Sequence, residues 1–319
     1  MPAISCHSCR KLISDDERRC PFCDSPQRIE VKSAKLSSGF FSNPKNILTG
    51  IIAFNIIFYA GSLFLNPAEA LSFDKGLFAF GSPDSKALML LGMTGGVAWE
   101  CNHYWTLITA SFLHGSLLHI YFNMSWLRQL GAMMIGLLGP ARLVIAYIIT
   151  GIGGFLLSNI WPDVLIMSWS TIDTIIGNSQ TISKIVHYII GASPPTGASP
   201  TIGASCSIFG LMGILIVFGH RRGGVLGKNI YKQIWLWALI GLVLGAMVPM
   251  INNAGHVGGL VTGLLLGYMF PKQEGTRESG VLQLFAMLLL VITFLSFAWN
   301  GYTMLGIFEQ YNSFGQFFC

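Results

Sequence analysis

The sequence predicts an all-α polytopic membrane protein with a small metal-stapled module at its N-terminus. Three observations carry that prediction. Only 10% of the 319 residues are charged and 52% are hydrophobic, whereas a soluble domain carries about a quarter charged residues. Mean hydropathy is +0.60, and seven apolar runs approach the roughly 20 residues that a bilayer core demands. Four of the seven cysteines are crowded into the first 23 residues.

The N-terminal segment "CHSCRKLISDDERRCPFC" places Cys6, Cys9, Cys20 and Cys23 in two C-x-x-C knuckles separated by ten residues. Four thiolates satisfy tetrahedral zinc. A segment this short buries too little apolar surface to fold alone, so structural zinc would supply its folding free energy. Residues 1–30 are therefore expected to form a zinc ribbon, with redox-active dithiols as the alternative and His7 as a bystander. Zinc thiolates require a reducing compartment, which puts the N-terminus in the cytosol. Residues 31–45, with Lys32, Lys35 and Lys45, are expected to be a polar linker. No cleavable signal is evident, because the first apolar run starts near Ile47.

The expected spans are 47–65, 107–138, 141–161, 204–219, 233–250, 254–270 and 281–306. With the N-terminus inside, the cytosolic loops hold Arg142, the run Arg221, Arg222, Lys228 and Lys232, and the pair Lys272 and Arg277. The outer loops 66–105 and 162–202 are richer in acids, including Glu69, Asp74, Asp84, Glu100, Asp163 and Asp173. That asymmetry follows the positive-inside rule and agrees with a cytosolic module. It also explains the net charge of +5 without nucleic acid, and none is expected as a partner. Loop 66–105 carries Phe73, Leu88, Trp99, Trp105 and other apolar residues, and is expected to lie in the membrane interface. Loop 162–202, ending in "GASPPTGASP", is expected to be extended or disordered.

Polar residues inside spans carry a functional prior, because burying them in lipid is costly. The second span holds His114, His119 and Asn123 in "HGSLLHIYFN", with His119 and Asn123 on one helical face. The sixth opens with His256 beside a stripe of Gly259, Gly263 and Gly267, which permits close backbone approach. The fourth is its natural partner, thinned by Gly203, Gly210 and Gly213. Ser205 and His256 then start two helices at similar depth. A hydroxyl facing an imidazole is the minimum for nucleophilic catalysis. Helix N-terminal amides, Asn123 and His119 are available to stabilise an oxyanion, and Phe209 to hold the His256 ring. The same residues also admit a plainer reading, with Ser205 as a packing residue and the His/Asn pair as interhelical hydrogen-bonding groups.

At these residues the chain resembles the rhomboid intramembrane serine proteases, over about residues 45–270. The tokens are Trp105 before the second span, "HGSLLHIYFN", "GASCSIFG" and "GHVGGLVTG". The resemblance implies a rhomboid-like six-helix core over 46–270, with residues 271–319 as an extra C-terminal helix and tail (6+1). It implies Ser205 as nucleophile, His256 as base, and His119, Asn123 and the Ser205 amide as oxyanion donors, with Gly203, Cys206 and Phe209 in support. It further implies cleavage of transmembrane protein substrates within the lipid bilayer, with no cofactor for catalysis. Two residues depart from the family pattern: Cys206 replaces the usual glycine and Thr106 the usual arginine. The expected location is a bacterial inner membrane, with a cytosolic partner possible for the zinc ribbon. The competing reading is a rhomboid-like protein without activity that binds membrane clients. A transporter is disfavoured, since spans 107–270 hold almost no charge beyond Arg128.

Overall fold

The computed structural model describes residues 3–6, 8–9, 11–14, 19–25, 40–67, 80–176, 199–248, 251–273, 275 and 277–314. The chain divides into two compact units, 1–43 and 44–319. In the first, strands β1 (Ala3–Ser5) and β2 (Leu12–Ser14) pair antiparallel, with Ile4 opposite Ile13. The hairpin brings the first knuckle toward the second. Most of the expected linker lies outside the described residues, as does His7.

The second unit is helical: α1 (Pro44–Leu65), α2 (Ser85–Leu90), α3 (Val97–Glu100), α4 (Thr106–Thr109), α5 (Leu117–Leu138), α6 (Pro140–Ile176), α7 (Ser205–Arg222), α8 (Gly224–Met247), α9 (Asn253–Met269) and α10 (Gly280–Phe314). The seven longest fall at the seven apolar runs. Four segments, Pro44–Leu65, Pro140–Trp161, Gly224–Met247 and Gly280–Gly306, are long and apolar enough to cross a membrane. The other three are α7 with 18 residues, α9 with 17, and α5. α5 carries His119, Asn123, Arg128 and Gln129.

Three boundaries differ from expectation. The second span does not begin at 107: α4 and a 3-10 turn at Ala110–Phe112 come first, and Leu113 is extended. Ser116 then starts α5 as its N-cap, accepting the His119 amide hydrogen bond at 3.2 Å. His114 and His119 are thus on separate elements, although their rings lie 5.1 Å apart. The third helix runs on to Ile176, so residues 162–176 are helical rather than loop. The "GASPPTGASP" run lies outside the described residues except for Ser199 and Pro200. The fifth helix starts at Gly224, directly after Gly223; both have positive φ (66° and 65°), which suits glycine and permits the sharp reversal from α7.

The core is built around α7. Every residue from Cys206 to Gly219 is buried, the signature of a helix enclosed on all sides. The glycine stripe of α9 lies directly on it. A Cβ at Gly259 would strike the Cys206 carbonyl, and one at Gly263 the Gly210 carbonyl. One at Gly267 would come within 2.9 Å of Val217. The same Cβ would lie 3.1 Å from the Ile214 Cα, so contacts at 206, 210 and 214 on α7 match the four-residue stripe of α9 and the seam persists over more than two turns. The C-terminal end of the seam is tied by Arg221, which donates to the carbonyls of Gly267, Tyr268 and Phe270 at 2.8–3.1 Å. A cation there complements the α9 C-terminus. The Glu278 carboxylate accepts the Ala141 and Arg142 amides at the start of α6, at 3.1 and 2.9 Å.

The described part of loop 66–105 packs on helix ends. Tyr59 of α1 donates to the Gly81 carbonyl at 2.6 Å, and Thr94 bridges Thr201. Leu88 and Ala98 are buried. Trp105 Nε1 donates to Asn300 Oδ1 at 3.1 Å, while the Asn300 amide donates to the Leu90 carbonyl at 2.8 Å. These bonds dock α10, as does the Phe54 ring against Phe294 and Phe297.

Candidate active site

Ser205 is the first residue of α7, and no side chain caps that helix. Its first-turn amides therefore have no intrahelical partner. Gly203 precedes it at φ 129° and anchors the approach by donating to the Ala110 carbonyl at 2.9 Å. A Cβ at Gly203 would lie 2.8 Å from His119 Nε2 and 3.6 Å from Ser205 Oγ. The small space left by that missing methyl is thus walled by the serine hydroxyl and the imidazole edge.

The protonation of His119 follows from its partner. Its Nδ1 accepts the Gly115 amide at 3.2 Å, so the proton of the neutral ring sits on Nε2. That N–H points into the space beside Gly203. Asn123, one turn along α5, is buried with Nδ2 unpaired. The Asn123 amide is thus a buried donor without an acceptor, which is costly unless something accepts from it, and the His119 Nε2 hydrogen lies one turn away on α5.

His256 lies in the first turn of α9, buried, with Nδ1 unpartnered. Phe209, one turn after Ser205, stacks on its ring at 4.3 Å between centroids and 14° between planes. The stripe of α9 thus delivers His256 to the helix that Ser205 begins. Among the described residues the Ser205 hydroxyl and the His256 imidazole make no hydrogen bond to each other. Donor and acceptor alignment at such sites often tightens only when substrate arrives.

Cys206 turns away from this site. It is 2% exposed, and its Sγ would lie 3.0 Å from a Cβ at Gly154 and 2.8 Å from one at Gly255. The thiol fills the junction of α6, α7 and α9. Thr106 donates to the His103 carbonyl at 2.6 Å and so stabilises the turn before α4. Cys101 is disulfide-bonded.

In the N-terminal unit the four thiol sulfurs lie within 4.8 Å of one another. Cys6 to Cys23 is 3.7 Å and Cys9 to Cys20 is 3.6 Å, against about 3.8 Å for the edge of a tetrahedron with Zn–S near 2.3 Å. The Ser8 and Cys9 amides donate to Cys6 Sγ. Hydrogen bonds to the Ser25 side chain and backbone hold the Cys23 thiol below its ordinary range. The donor set fits zinc.

Two participants were not legible as site residues in the sequence. Asn252 caps α9, and Thr201 lies four residues before Ser205. The only signal was an Asn at a helix start.

A family model described as Rhomboid domain matches residues 101–273. RHOMBOID-like protein 1 of Arabidopsis thaliana is 26% identical over 239 residues, 70% of this chain and 53% of that protein. Rhomboid protease GluP of Bacillus subtilis is 24% identical over 223 residues, 69% of this chain and 36% of its own length. Rhomboid protease GlpG of Yersinia pestis is 28% identical over 182 residues, 54% of this chain and 52% of that protein. The chain thus spans about a third to about half the length of these relatives.

Proposed function

Since the chain belongs to the rhomboid family, a multi-pass integral membrane group, we propose that it is an intramembrane serine endopeptidase working through Ser205 and His256. The observation that carries this is the seam between α7 and α9, which packs the first turns of the two helices together and stacks Phe209 on the imidazole. As Oγ bonds to a substrate carbonyl carbon, His256 takes the hydroxyl proton. The carbonyl oxygen becomes an anion and enters the space beside Gly203. There the His119 Nε2 hydrogen, the Asn123 amide and the open first-turn amides of α7 are its donors. The C–N bond breaks as His256 returns the proton to the leaving amine. Water then adds to the acyl carbon as His256 takes its proton, and the bond to Oγ breaks as His256 returns that proton to Ser205, freeing the carboxylic acid product.

The substrates are transmembrane proteins whose helices unwind locally to offer a peptide bond. A fluorophosphonate probe is expected to label the wild-type chain in detergent and not Ser205→Ala. Equal labelling of both would sink the reading. No labelling of either, with the fold intact, would favour the client-binding alternative.

The thiols Cys6, Cys9, Cys20 and Cys23 would hold one structural zinc, remote in role from the chemistry. Mercurial titration of purified protein is expected to release about one zinc per chain, and none from Cys6→Ser/Cys20→Ser. Retained zinc in that variant would exclude the tetrathiolate site. We place the module in the cytosol of a bacterium, where it is free to engage a cytosolic partner, and Cys101 on the oxidising face of the inner membrane. The opposite redox states of these cysteines support that orientation. A membrane-impermeant maleimide added to intact cells is expected to spare the module thiols; labelling them from outside would reverse the topology.

A further inference from the structure

Ser205 and His256 share no hydrogen bond, so their spacing depends on what ties the two backbone segments that carry them. One side chain spans both. Asn252 is the N-cap of α9: its Oδ1 accepts the Gly255 amide at 2.9 Å, and its carbonyl accepts the His256 amide at 3.2 Å. Its Nδ2 donates in the other direction, to Thr201 Oγ1 at 3.0 Å and to Ser158 Oγ of α6. Thr201 lies in the segment that leads into Ser205.

Thr201 is itself fixed. Its amide donates to the Thr94 carbonyl at 2.7 Å, and its carbonyl accepts from Thr94 at 3.3 Å. Its hydroxyl donates to the Ser199 carbonyl at 2.9 Å. Thr94 Oγ1 accepts from the Asn159 amide at 3.1 Å and lies 3.1 Å from Thr106 Oγ1, whose own hydrogen goes to the His103 carbonyl. The approach to Ser205 is therefore held on the α4 side by Thr94 and on the α9 side by Asn252.

We propose that Asn252 is a positioning residue that sets the approach of His256 to Ser205 by cross-linking the α9 cap to Thr201. This rests on the Ser205–His256 reading. Capping and cross-linking use different atoms and are separable. Asn252→Ser keeps a good cap, but its side chain is too short to span to Thr201 and Ser158. Thr201→Val removes the hydroxyl that accepts the bond, while Thr201→Ser keeps it.

The experiment is steady-state cleavage of a transmembrane peptide by full-length protein, with melting temperature measured beside it. Asn252→Ser and Thr201→Val are each expected to lower kcat about 10- to 100-fold with KM unchanged, the loss that ångström-scale misplacement brings. Melting should stay near wild type for Asn252→Ser. The double variant should be no slower than the slower single one, because both remove the same bond. Thr201→Ser should restore most of the rate. The rate of fluorophosphonate labelling at Ser205 should fall in parallel, a readout that needs no peptide. A wild-type rate in Asn252→Ser, or losses that multiply in the double variant, would overturn the proposal. Cleavage that persists in Ser205→Ala would instead overturn the dyad on which it rests.

Discussion

Ser205→Ala and His256→Ala are each expected to lower kcat by at least about 10⁴-fold, and the double variant by no more than the worse single one. The reason is that the two act as one unit. Without the hydroxyl, the imidazole has no proton to take; without the imidazole, the hydroxyl is a poor nucleophile at neutral pH. Removing either member of such a pair costs about as much as removing both. KM should change little, since neither side chain supplies the bulk of a transmembrane helix's binding surface. His119→Ala should cost less, about 10²- to 10³-fold, as befits one oxyanion donor among several. Kinetics on a single peptide in one detergent check all four. Losses that multiply in the double variant would mean that Ser205 and His256 contribute separately, and the covalent mechanism would fail.

The second large effect comes from packing. Gly263→Val is expected to destabilise the membrane unit by well over the ~1–3 kcal/mol typical of an inserted core group. Its Cβ alone would collide with the Gly210 carbonyl, and a backbone atom cannot move aside as a flexible side chain does. The two helices must separate, and His256 leaves Ser205 with them. Gly136→Ala on α5 is the control, because no atom lies within 4 Å of the added carbon. Resistance to thermal aggregation in detergent should collapse for the first and not for the second. Similar stability in the two would show that the seam is not what holds α9 on α7.

These effects arise from features of unequal visibility in the sequence. The seven long helices were legible because each contains a predominantly apolar stretch, and the stripe Gly259, Gly263, Gly267 because its period is local. The break before α5 was not: no proline or charge marks Leu113, His114 and Gly115, and the new helix is defined by the bond that the His119 amide donates to Ser116 Oγ. The extension of α6 to Ile176 was missed because Asp163, Asp173 and several hydroxyl residues read as loop. At the site, the residue types were visible but their contacts were not. The His119 tautomer is set by the Gly115 amide, and the space it faces by a missing methyl at Gly203. The Asn252 cross-link joins residues 51 positions apart, a distance at which spacing carries no information.

Cys206 couples three positions of this core to one another. Its sulfur occupies room that exists only because 154 and 255 both lack a methyl; alanine at either would approach it to 3.0 Å or less. The three positions form one epistatic set. Substitutions at the three positions are therefore expected to be non-additive. A methyl at 154 would in addition lie 2.7 Å from the Gly255 carbonyl, so position 154 is closed by backbone as well as by the thiol.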